Sequence, residues 1–146
     1  MKYWPMYLLD TNIFLEIMLS RPRKEVCKRF LDVLRDGEET GIVTDFSVYS
    51  IMVIMSSLAK LRQLRTFLTS LSAYKGLGIY TTTLSDKAKA VDICLEKTLD
   101  IDDSIQYSAA LTNSAQGIVS FDRHFDGLRI PRVEPQTILA EKPQKS

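Results

Sequence analysis

The chain has 146 residues, which is enough for one domain with a sizeable hydrophobic core. With 45% hydrophobic and 25% charged residues it has the composition of an ordinary globular protein, and its formal net charge of +1 gives no sign of a surface that attracts polyanions as a whole. The two cysteines, Cys27 and Cys94, lie far apart without a metal-type spacing, so we expect reduced thiols and a cytoplasmic protein.

The first half of the sequence predicts two strands that alternate with helices. The apolar run 6–9 is typical of a buried strand, and Asn12 is expected to cap the helix that follows it. A second helix is predicted to end at Gly37, and the sequence GIVT indicates the second strand. The helix expected from Asp45 to about Lys60 is apolar on most sides, which fits either a wholly buried helix or a surface for a dimer or a groove.

The second half continues this alternation. Its predicted elements, in chain order, are a helix around 64–71, a strand GIYTT, a helix around 84–95, a helix DDSIQYSAALTNS, a strand GIVSF, an edge strand RIPRV and a helix from Pro135. Strands that alternate with helices predict an α/β fold with a mostly parallel central sheet of four to five strands. We expect residues 1–141 to form a single domain and residues 142–146 to form a frayed tail.

The most hydrophobic run near the start of the chain is not expected to be a signal peptide or a membrane span. Asp10, Asn12 and Glu16 interrupt the run, and no small-residue cleavage site follows it. An aspartate inside such a run needs an explanation, because burying an unpaired carboxylate is costly.

Acidic residues stand at the ends of three predicted elements. Asp10 follows the first strand and Asp122 follows the strand GIVSF, so both would lie at one edge of the sheet if the two strands are parallel neighbours. The helix that begins in the sequence LDIDDS would bring Asp103, and with it Asp102, to the same edge. The sequence therefore predicts a cleft that gathers three carboxylates.

Three carboxylates in one cleft repel one another and need positive charge between them. Oxygen ligands suit Mg²⁺ or Mn²⁺, and these ions polarise a phosphoryl oxygen and orient an attacking water. The expected chemistry is hydrolysis of a phosphodiester bond.

The aspartates after Asp10 also have ordinary structural explanations. Asp102 or Asp103 could cap a helix, and Asp122 could stabilise a turn. Asp10 is harder to explain in this way, because the residues before it are uniformly apolar. A phosphoaspartate enzyme with Asp10 as its nucleophile is a further alternative, although Asn12 stands where its second aspartate is expected.

Other chemistries lack the residues that they need. His124 is the only histidine, which excludes multi-histidine metal sites, and it is expected to lie exposed in a turn. The sequence GLG at 76–78 lacks the lysine and the serine or threonine of a phosphate-binding loop.

The segments LLDTNIFLEI, LDIDDSIQYSAA and IVSFDRHF, in this order, resemble those of the PIN-domain family, in particular its small prokaryotic VapC-type ribonucleases. The resemblance covers nearly the whole chain. It implies an α/β/α sandwich around a parallel sheet, with an acidic pocket that binds Mg²⁺ or Mn²⁺ and cuts RNA. It also implies a homodimer and, for toxins of this type, an antitoxin protein as partner.

Position by position, the resemblance assigns catalysis and metal binding to Asp10, Asp103 and Asp122. Asn12 matches a polar residue that helps to arrange the first aspartate. Ser120 matches a threonine of the last motif and is expected to support the site in the same way.

The sequence departs from the family pattern at two positions. His124 stands where the last motif has a second aspartate. Many members carry a glutamate near the position of Ser50, whereas no glutamate occurs between residues 40 and 95. Asp45 is a possible substitute acid, with a helix cap as its alternative role. The loss of one ligand would weaken metal binding or favour one ion over two, which motivates a second hypothesis: a catalytically weak PIN module that binds RNA or a partner protein.

An RNA substrate requires basic side chains near the acidic cleft. Arg123 is the candidate for a phosphate contact, because it follows Asp122 directly. Two further basic clusters either contact RNA or form solvated helix faces; they comprise Arg21, Arg23, Lys24, Lys28 and Arg29 in the first and Lys60, Arg62 and Arg65 in the second.

Overall fold

The computed structural model describes residues 5–142, and within them the chain forms five strands and seven helices. The strands are β1 (Tyr7–Leu9), β2 (Gly41–Thr44), β3 (Leu77–Tyr80), β4 (Gly117–Val119) and β5 (Arg132–Val133). The helices are α1 (Thr11–Met18), α2 (Lys24–Arg35), α3 (Asp45–Ser57), α4 (Leu61–Leu71), α5 (Leu84–Glu96), α6 (Ile101–Thr112) and α7 (Pro135–Ala140). A short 3-10 helix, Arg123–Phe125, replaces the predicted turn. The predicted frayed tail lies outside the described residues, except for Lys142.

The strands form one sheet in the order β3-β2-β1-β4-β5, and all four pairings are parallel. This confirms the predicted α/β class and the upper value of the predicted strand count. All three residues of β1 are buried, as is typical of a central strand in a parallel sheet that is covered on both faces. The apolar run before Asp10 is therefore the centre of the molecule.

Alternate residues of the central strands feed two separate hydrophobic clusters. Leu9 and Val119 pack with α1, α2, α3, α4 and α7 on one face of the sheet. Leu8 and Ile118 pack with α6 and the partly buried side of α5 on the other face. Because successive side chains of a strand point to opposite faces, these two short strands hold both helical layers of the predicted α/β/α sandwich.

Two predicted helix caps are wrong in detail. Asp10, and not Asn12, is the N-cap of α1, which begins two residues earlier than expected. Asp100 caps α6, with its Oδ1 accepting a hydrogen bond from the backbone N–H of Asp103 at 2.9 Å. Several polar residues stand side by side at both helix starts, and the position at which the chain leaves its extended conformation decides which of them is the cap.

Helix α3 is only partly buried, which removes one of the two interpretations of its apolar sequence. Ile51 and Met55 are fully buried, but Val53 and the residue that follows the helix, Leu58, are 56% and 50% exposed. The interpretation as a wholly buried helix is therefore wrong, and a surface for a dimer or a groove stays a prediction.

The apolar residues that mark α5 in the sequence face solvent, although the helix itself is confirmed. Leu84 and Leu95 are 84% and 82% exposed, whereas Asp86 and Ala90 are buried. The reason is that α5 packs closely against α6, whose facing side carries small residues, so that a small side chain and a hydrogen-bonded carboxylate fit the contact better than leucines.

Both cysteines are free thiols, as predicted, with Cys27 buried and Cys94 half-buried. None of the helices between residues 5 and 142 has the length and apolar character needed to cross a membrane.

Candidate functional site

A cleft of about 280 Å³ opens at the carboxyl edge of the sheet, where β1 and β4 end. Its lining is mainly polar and consists of Asp10, Thr11, Asn12, Leu15, Ser50, Ile54, Asp100, Asp102, Asp103, Gln106, Asp122 and His124. No lysine or arginine of the described chain is among these lining residues. The cleft thus combines five aspartates with one histidine.

Asp10 lies at the bottom of this cleft and is only 2% exposed. Its position follows from the sheet, because its backbone N–H continues the β1–β4 pairing by donating to the carbonyl of Val119 at 3.0 Å. The hydroxyl of Ser120 donates to Oδ2 of Asp10 at 2.7 Å. Burial raises the pKa of Asp10 above its usual range and Asp122 adds to the shift, while hydrogen bonds from Ser120 and Gln106 oppose it.

Asp103 enters the cleft from the first turn of α6, which packs against β1 and β4. It is 8% exposed. Burial raises the pKa of Asp103 to about 7, and the negative charges of Asp100, Asp122 and Asp10 add to this shift, while His124 partly offsets it. Burial and three neighbouring carboxylates thus act together against the charged form of Asp103.

Asp122 and His124 complete the group. Oδ1 of Asp122 accepts a hydrogen bond from the backbone N–H of His124 at 2.9 Å, so the predicted turn role of this aspartate exists as well. The imidazole Nδ1 lies 3.2 Å from Oδ1 of Asp122 and 3.5 Å from Oδ2 of Asp103. Within residues 5–142, these three side chains form the one group that can present ligand atoms within 4.8 Å of one another. The histidine is 70% exposed, as expected, yet it belongs to the site.

These donors fit a hard divalent cation. Carboxylate oxygens are the ligands that Mg²⁺ and Mn²⁺ prefer, and neighbouring aspartates add to the rise that burial causes in the pKa values of Asp10 and Asp103. The structure thus brings the three sequence-predicted aspartates into one cleft, with Asp103 and Asp122 in direct proximity and Asp10 beneath them.

Ser120 connects two of the acids and supports the site as the sequence suggests. Its hydroxyl donates to Asp10 and accepts a hydrogen bond from the backbone N–H of Asp122 at 2.9 Å. One buried side chain therefore sets the relative position of the aspartates at the ends of β1 and β4.

Asn12 acts on Asp10 through its backbone, while its side chain turns to the cleft mouth. The backbone N–H of Asn12 hydrogen-bonds Asp10. The side-chain Oδ1 accepts a hydrogen bond from Nη1 of Arg21 at 3.2 Å. Through this bond the guanidinium of Arg21 stands at the rim of the acidic cleft.

The hydroxyl of Thr11 belongs to a small polar network beside the cleft. It donates to Oγ of Ser47 at 2.7 Å, and Oγ1 of Thr44 lies 3.1 Å from the same Ser47 oxygen. This network joins the start of α1 to the start of α3, which holds the two helices at a constant distance along one side of the cleft.

Asp45 does not line the cleft. Its Oδ1 accepts hydrogen bonds from the backbone N–H and the hydroxyl of Thr82 at 3.0 and 2.9 Å, so it fastens α3 to the segment before α5. It is not the N-cap of α3 either, since that position belongs to Thr44. Ser50, the position at which the resemblance calls for a glutamate, does face the cleft. The substitute acid suggested by the sequence is therefore held away from the site.

Arg123 is exposed in the 3-10 helix and does not line the cleft. Arg21 instead donates a hydrogen bond to the side chain of Asn12, which lines the cleft. The sequence offers no reason to single out Arg21 within its basic cluster. Gln106 is a second residue that sequence reasoning missed. It follows Asp103 by three positions on α6, a spacing that puts both side chains on one helix face and was the available signal.

Comparison with known proteins agrees with this architecture. The family model of the PIN domain matches residues 7–130. Comparison with the sequences of curated proteins finds no match.

Solved structures of low sequence identity share the fold. The chain is similar to a toxin–antitoxin complex from Klebsiella pneumoniae, with 19% identity and a TM-score of 0.68 over 88% of this chain and 97% of that chain. It is similar to VapC20 of Mycobacterium tuberculosis, a toxin that cleaves the sarcin–ricin loop, with 13% identity and a TM-score of 0.71 over 89% and 99%. It is also similar to VapBC2 of Rickettsia felis, solved with a DNA fragment from its promoter, with 16% identity and a TM-score of 0.67 over 88% and 98%. The family-model match spans most of the chain and includes every aspartate of the cleft, and the chain belongs to the PIN domain family.

Proposed function

We propose that the protein is a metal-dependent endoribonuclease that hydrolyses phosphodiester bonds of RNA. The observation that carries the proposal is the pair of buried carboxylates, Asp10 and Asp103, whose pKa values are raised in a cleft that they share with Asp122. Perturbed acids in a cleft are typical of catalytic sites, and membership of the PIN domain family supports a nuclease.

In this proposal Asp10, Asp103 and Asp122 hold Mg²⁺ or Mn²⁺. When bound, such a cation supplies Lewis-acid polarisation of a phosphoryl oxygen and lowers the pKa of water at the scissile bond. Ser120 fixes the relative position of Asp10 and Asp122 through its two hydrogen bonds, and Gln106 orients Asp10 by a hydrogen bond. Ser120 and Gln106 therefore act as positioning residues.

The RNA backbone would reach the cleft along its mouth. Arg21 stands there through its bond to Asn12, which makes it the first candidate for a phosphate contact, and Arg123 remains a second candidate beside Asp122. Nearby, the guanidinium of Arg23 stacks over the ring of Phe121 at 4.2 Å, which adds positive charge at the same edge. Such contacts predict RNA binding that weakens as salt concentration rises.

We further propose that the protein is the toxin of a toxin–antitoxin pair. Its neighbours include a toxin–antitoxin complex from Klebsiella pneumoniae and VapBC2 of Rickettsia felis. An apolar groove of about 290 Å³ between α1, α2 and α4 is lined in part by Phe14, Ile17 and Phe67, and in this proposal it would receive an apolar antitoxin segment. A homodimer through the exposed apolar side of α3 and a cytoplasmic location complete the proposal.

A second candidate is a PIN module with weak activity that binds RNA or a partner protein. It is favoured by one observation, the serine at position 50, where an acid in the cleft would strengthen metal binding. A metal titration separates the two candidates, because a weak module shows no response to Mg²⁺ or Mn²⁺ in the millimolar range.

The test is cleavage of a mixed, structured RNA pool by the wild type and by Asp10→Asn, with Mn²⁺, with Mg²⁺ and with EDTA. Asp92→Asn is the matched control, since Asp92 is an exposed aspartate on α5 outside the cleft. Both variants must come from a ribonuclease-deficient host. We expect metal-dependent cleavage by the wild type and by the control, and none by Asp10→Asn. Equal cleavage by all three proteins would overturn the catalytic role of the cleft.

A further inference from the structure

We propose that His124 is a direct ligand of the cation in this cleft and that its imidazole nitrogen gives the site a preference for Mn²⁺ over Mg²⁺. The inference rests on the proposed function, because it requires that the cleft binds a divalent cation. It adds a nitrogen donor to a set of ligands that otherwise consists of carboxylate oxygens.

The position of the imidazole matches that of a ligand. Its Nδ1 lies 3.2 Å from Oδ1 of Asp122 and 3.5 Å from Oδ2 of Asp103. Ligand atoms at right angles around an ion, each at about 2.1 Å from it, are about 3 Å apart. The nitrogen therefore lies from each of the two oxygens at nearly the spacing of adjacent ligands of a six-coordinate ion, and ligand atoms of all three residues lie within 4.8 Å of one another.

The backbone holds His124 in this place, even though its side chain is exposed. Its N–H donates to Asp122, and the next residue, Phe125, is completely buried in the cluster beneath α6. The 3-10 helix is thus anchored on both sides of the histidine. The side chain itself is 70% exposed, so solvent reaches the imidazole.

The donor chemistry sets the preference. Mg²⁺ favours carboxylate, carbonyl and water oxygens, whereas imidazole nitrogen suits transition-metal ions. A neutral nitrogen in place of a fourth anionic oxygen removes negative charge that a hard ion needs, and Ser50 supplies no compensating charge on the facing wall. The expected result is a larger loss of affinity for Mg²⁺ than for Mn²⁺.

A different role for the same contacts makes the opposite prediction. If the imidazolium served only as a counter-ion for Asp103 and Asp122, it would compete with a cation for the cleft. Its removal would then tighten metal binding. If His124 is a ligand, its removal weakens metal binding.

The first experiment measures metal affinity of the untagged, metal-stripped full chain. Mn²⁺ is titrated by electron paramagnetic resonance of the free ion, and Mg²⁺ is titrated by competition, for the wild type, His124→Ala and His124→Asp. Arg129→Gln serves as a control, because Arg129 lies outside the cleft on the segment between β4 and β5 that also carries His124. We expect Mn²⁺ affinity to fall about tenfold or more in His124→Ala, and the ratio of Mn²⁺ to Mg²⁺ affinity to fall by a similar factor in His124→Asp. Unchanged or tighter Mn²⁺ binding in His124→Ala overturns the proposal.

The second experiment identifies the ligand directly. Pulsed electron paramagnetic resonance of the Mn²⁺-loaded wild type is expected to show imidazole nitrogen coupling, which disappears in His124→Ala. The assignment is unambiguous because the chain has one histidine. Mn²⁺ binding without this coupling overturns the role of His124 and leaves the metal-dependent nuclease standing. A wild type that binds neither ion overturns both.

Discussion

Asp86 and Asp103 are both buried aspartates in helices that pack against each other, yet their environments are opposite. The pKa of Asp86 is held below its usual range, and the pKa of Asp103 is raised to about 7. Burial disfavours the charge of both side chains, so the difference between them comes from their neighbours.

Asp86 is surrounded by donors. Burial opposes its ionisation, but its carboxylate accepts hydrogen bonds from the backbone N–H of Thr83 at 2.9 Å, the hydroxyl of Tyr80 at 2.6 Å and the hydroxyl of Thr112 at 2.9 Å. The bond from Thr83 is half of a capping box at the start of α5. The protein itself satisfies this charge, and the result is a structural tie between β3, α5 and α6.

Asp103 is surrounded by other acids. Asp100, Asp122 and Asp10 all raise its pKa, and His124 offsets only part of their effect. In the proposed function, a bound cation balances this excess of negative charge around Asp103. A buried aspartate whose neighbours repel its charge is thus a candidate for a binding site, whereas one whose neighbours donate hydrogen bonds to it links structural elements.

The largest expected effect is the loss of activity in a variant of Asp103. Asp103→Asn removes a proposed ligand and is expected to lower RNA cleavage about 100-fold or more, because metal ions contribute several kcal/mol to such reactions. Cleavage rates of the variant and of Asp92→Asn, measured at saturating Mn²⁺, test this. An Asp103→Asn variant that retains wild-type rates would remove Asp103 from the catalytic site.

The next effect concerns stability. Asp86→Asn loses a charged acceptor of three hydrogen bonds and is expected to lower the free energy of unfolding by about 3 kcal/mol. Denaturant titrations of metal-free Asp86→Asn and Asp103→Asn measure it, and the second variant is expected to be at least as stable as the wild type, since it removes repulsion. Equal destabilisation of both variants would break the distinction between the two sites.

Metal addition should stabilise the wild type through the cleft alone. At a metal concentration of 100 Kd the free energy of unfolding rises by about 2.7 kcal/mol, so thermal melting with and without Mn²⁺ reveals the ligands. Asp86→Asn is expected to keep this increment, whereas Asp103→Asn loses most of it. A full increment in Asp103→Asn would place the bound ion elsewhere.

The smallest expected effect is on the pH dependence of stability. The pKa of Asp103 is about 7 in the folded protein and about 4 in the unfolded chain, so its favourable contribution is complete below about pH 4 and is lost as the pH rises through 7. Asp10 acts in the same direction. Across the whole interval from pH 6 to 8 the metal-free wild type should lose about 1.4 kcal/mol in total, and Asp103→Asn should show a flatter profile. A wild-type stability that rises over this interval contradicts the raised pKa values.

The sequence predicted much of the architecture and the acidic core of the site, because these depend on local patterns. Short apolar runs that end at Asp10 and just before Asp122 define two central strands, and in a parallel sheet the carboxyl ends of neighbouring strands share one edge. The order of strands and helices therefore sufficed to predict that these carboxylates meet.

The residues whose positions were predicted wrongly are placed by contacts between segments that are distant in the sequence. Asp45 stands at the start of α3 as expected, but Thr82, far away in the sequence, holds its carboxylate outside the cleft. The leucines of α5 have a helical spacing, but the close packing of α6 selects the opposite side of that helix. A local sequence pattern does not reveal which residue, many positions away in the chain, will contact a given side chain.

By itself, the sequence determined the elements, the parallel sheet and the edge at which three aspartates gather, since hydrophobic periodicity and chain order suffice for these. Only the tertiary structure decided that Asp86 is satisfied, that Asp103 is not, and that His124 lies between Asp103 and Asp122. The physical reason is that the charge state of a buried carboxylate depends on which donors and charges lie within a few ångströms of it, and those come from elements that are distant in the chain.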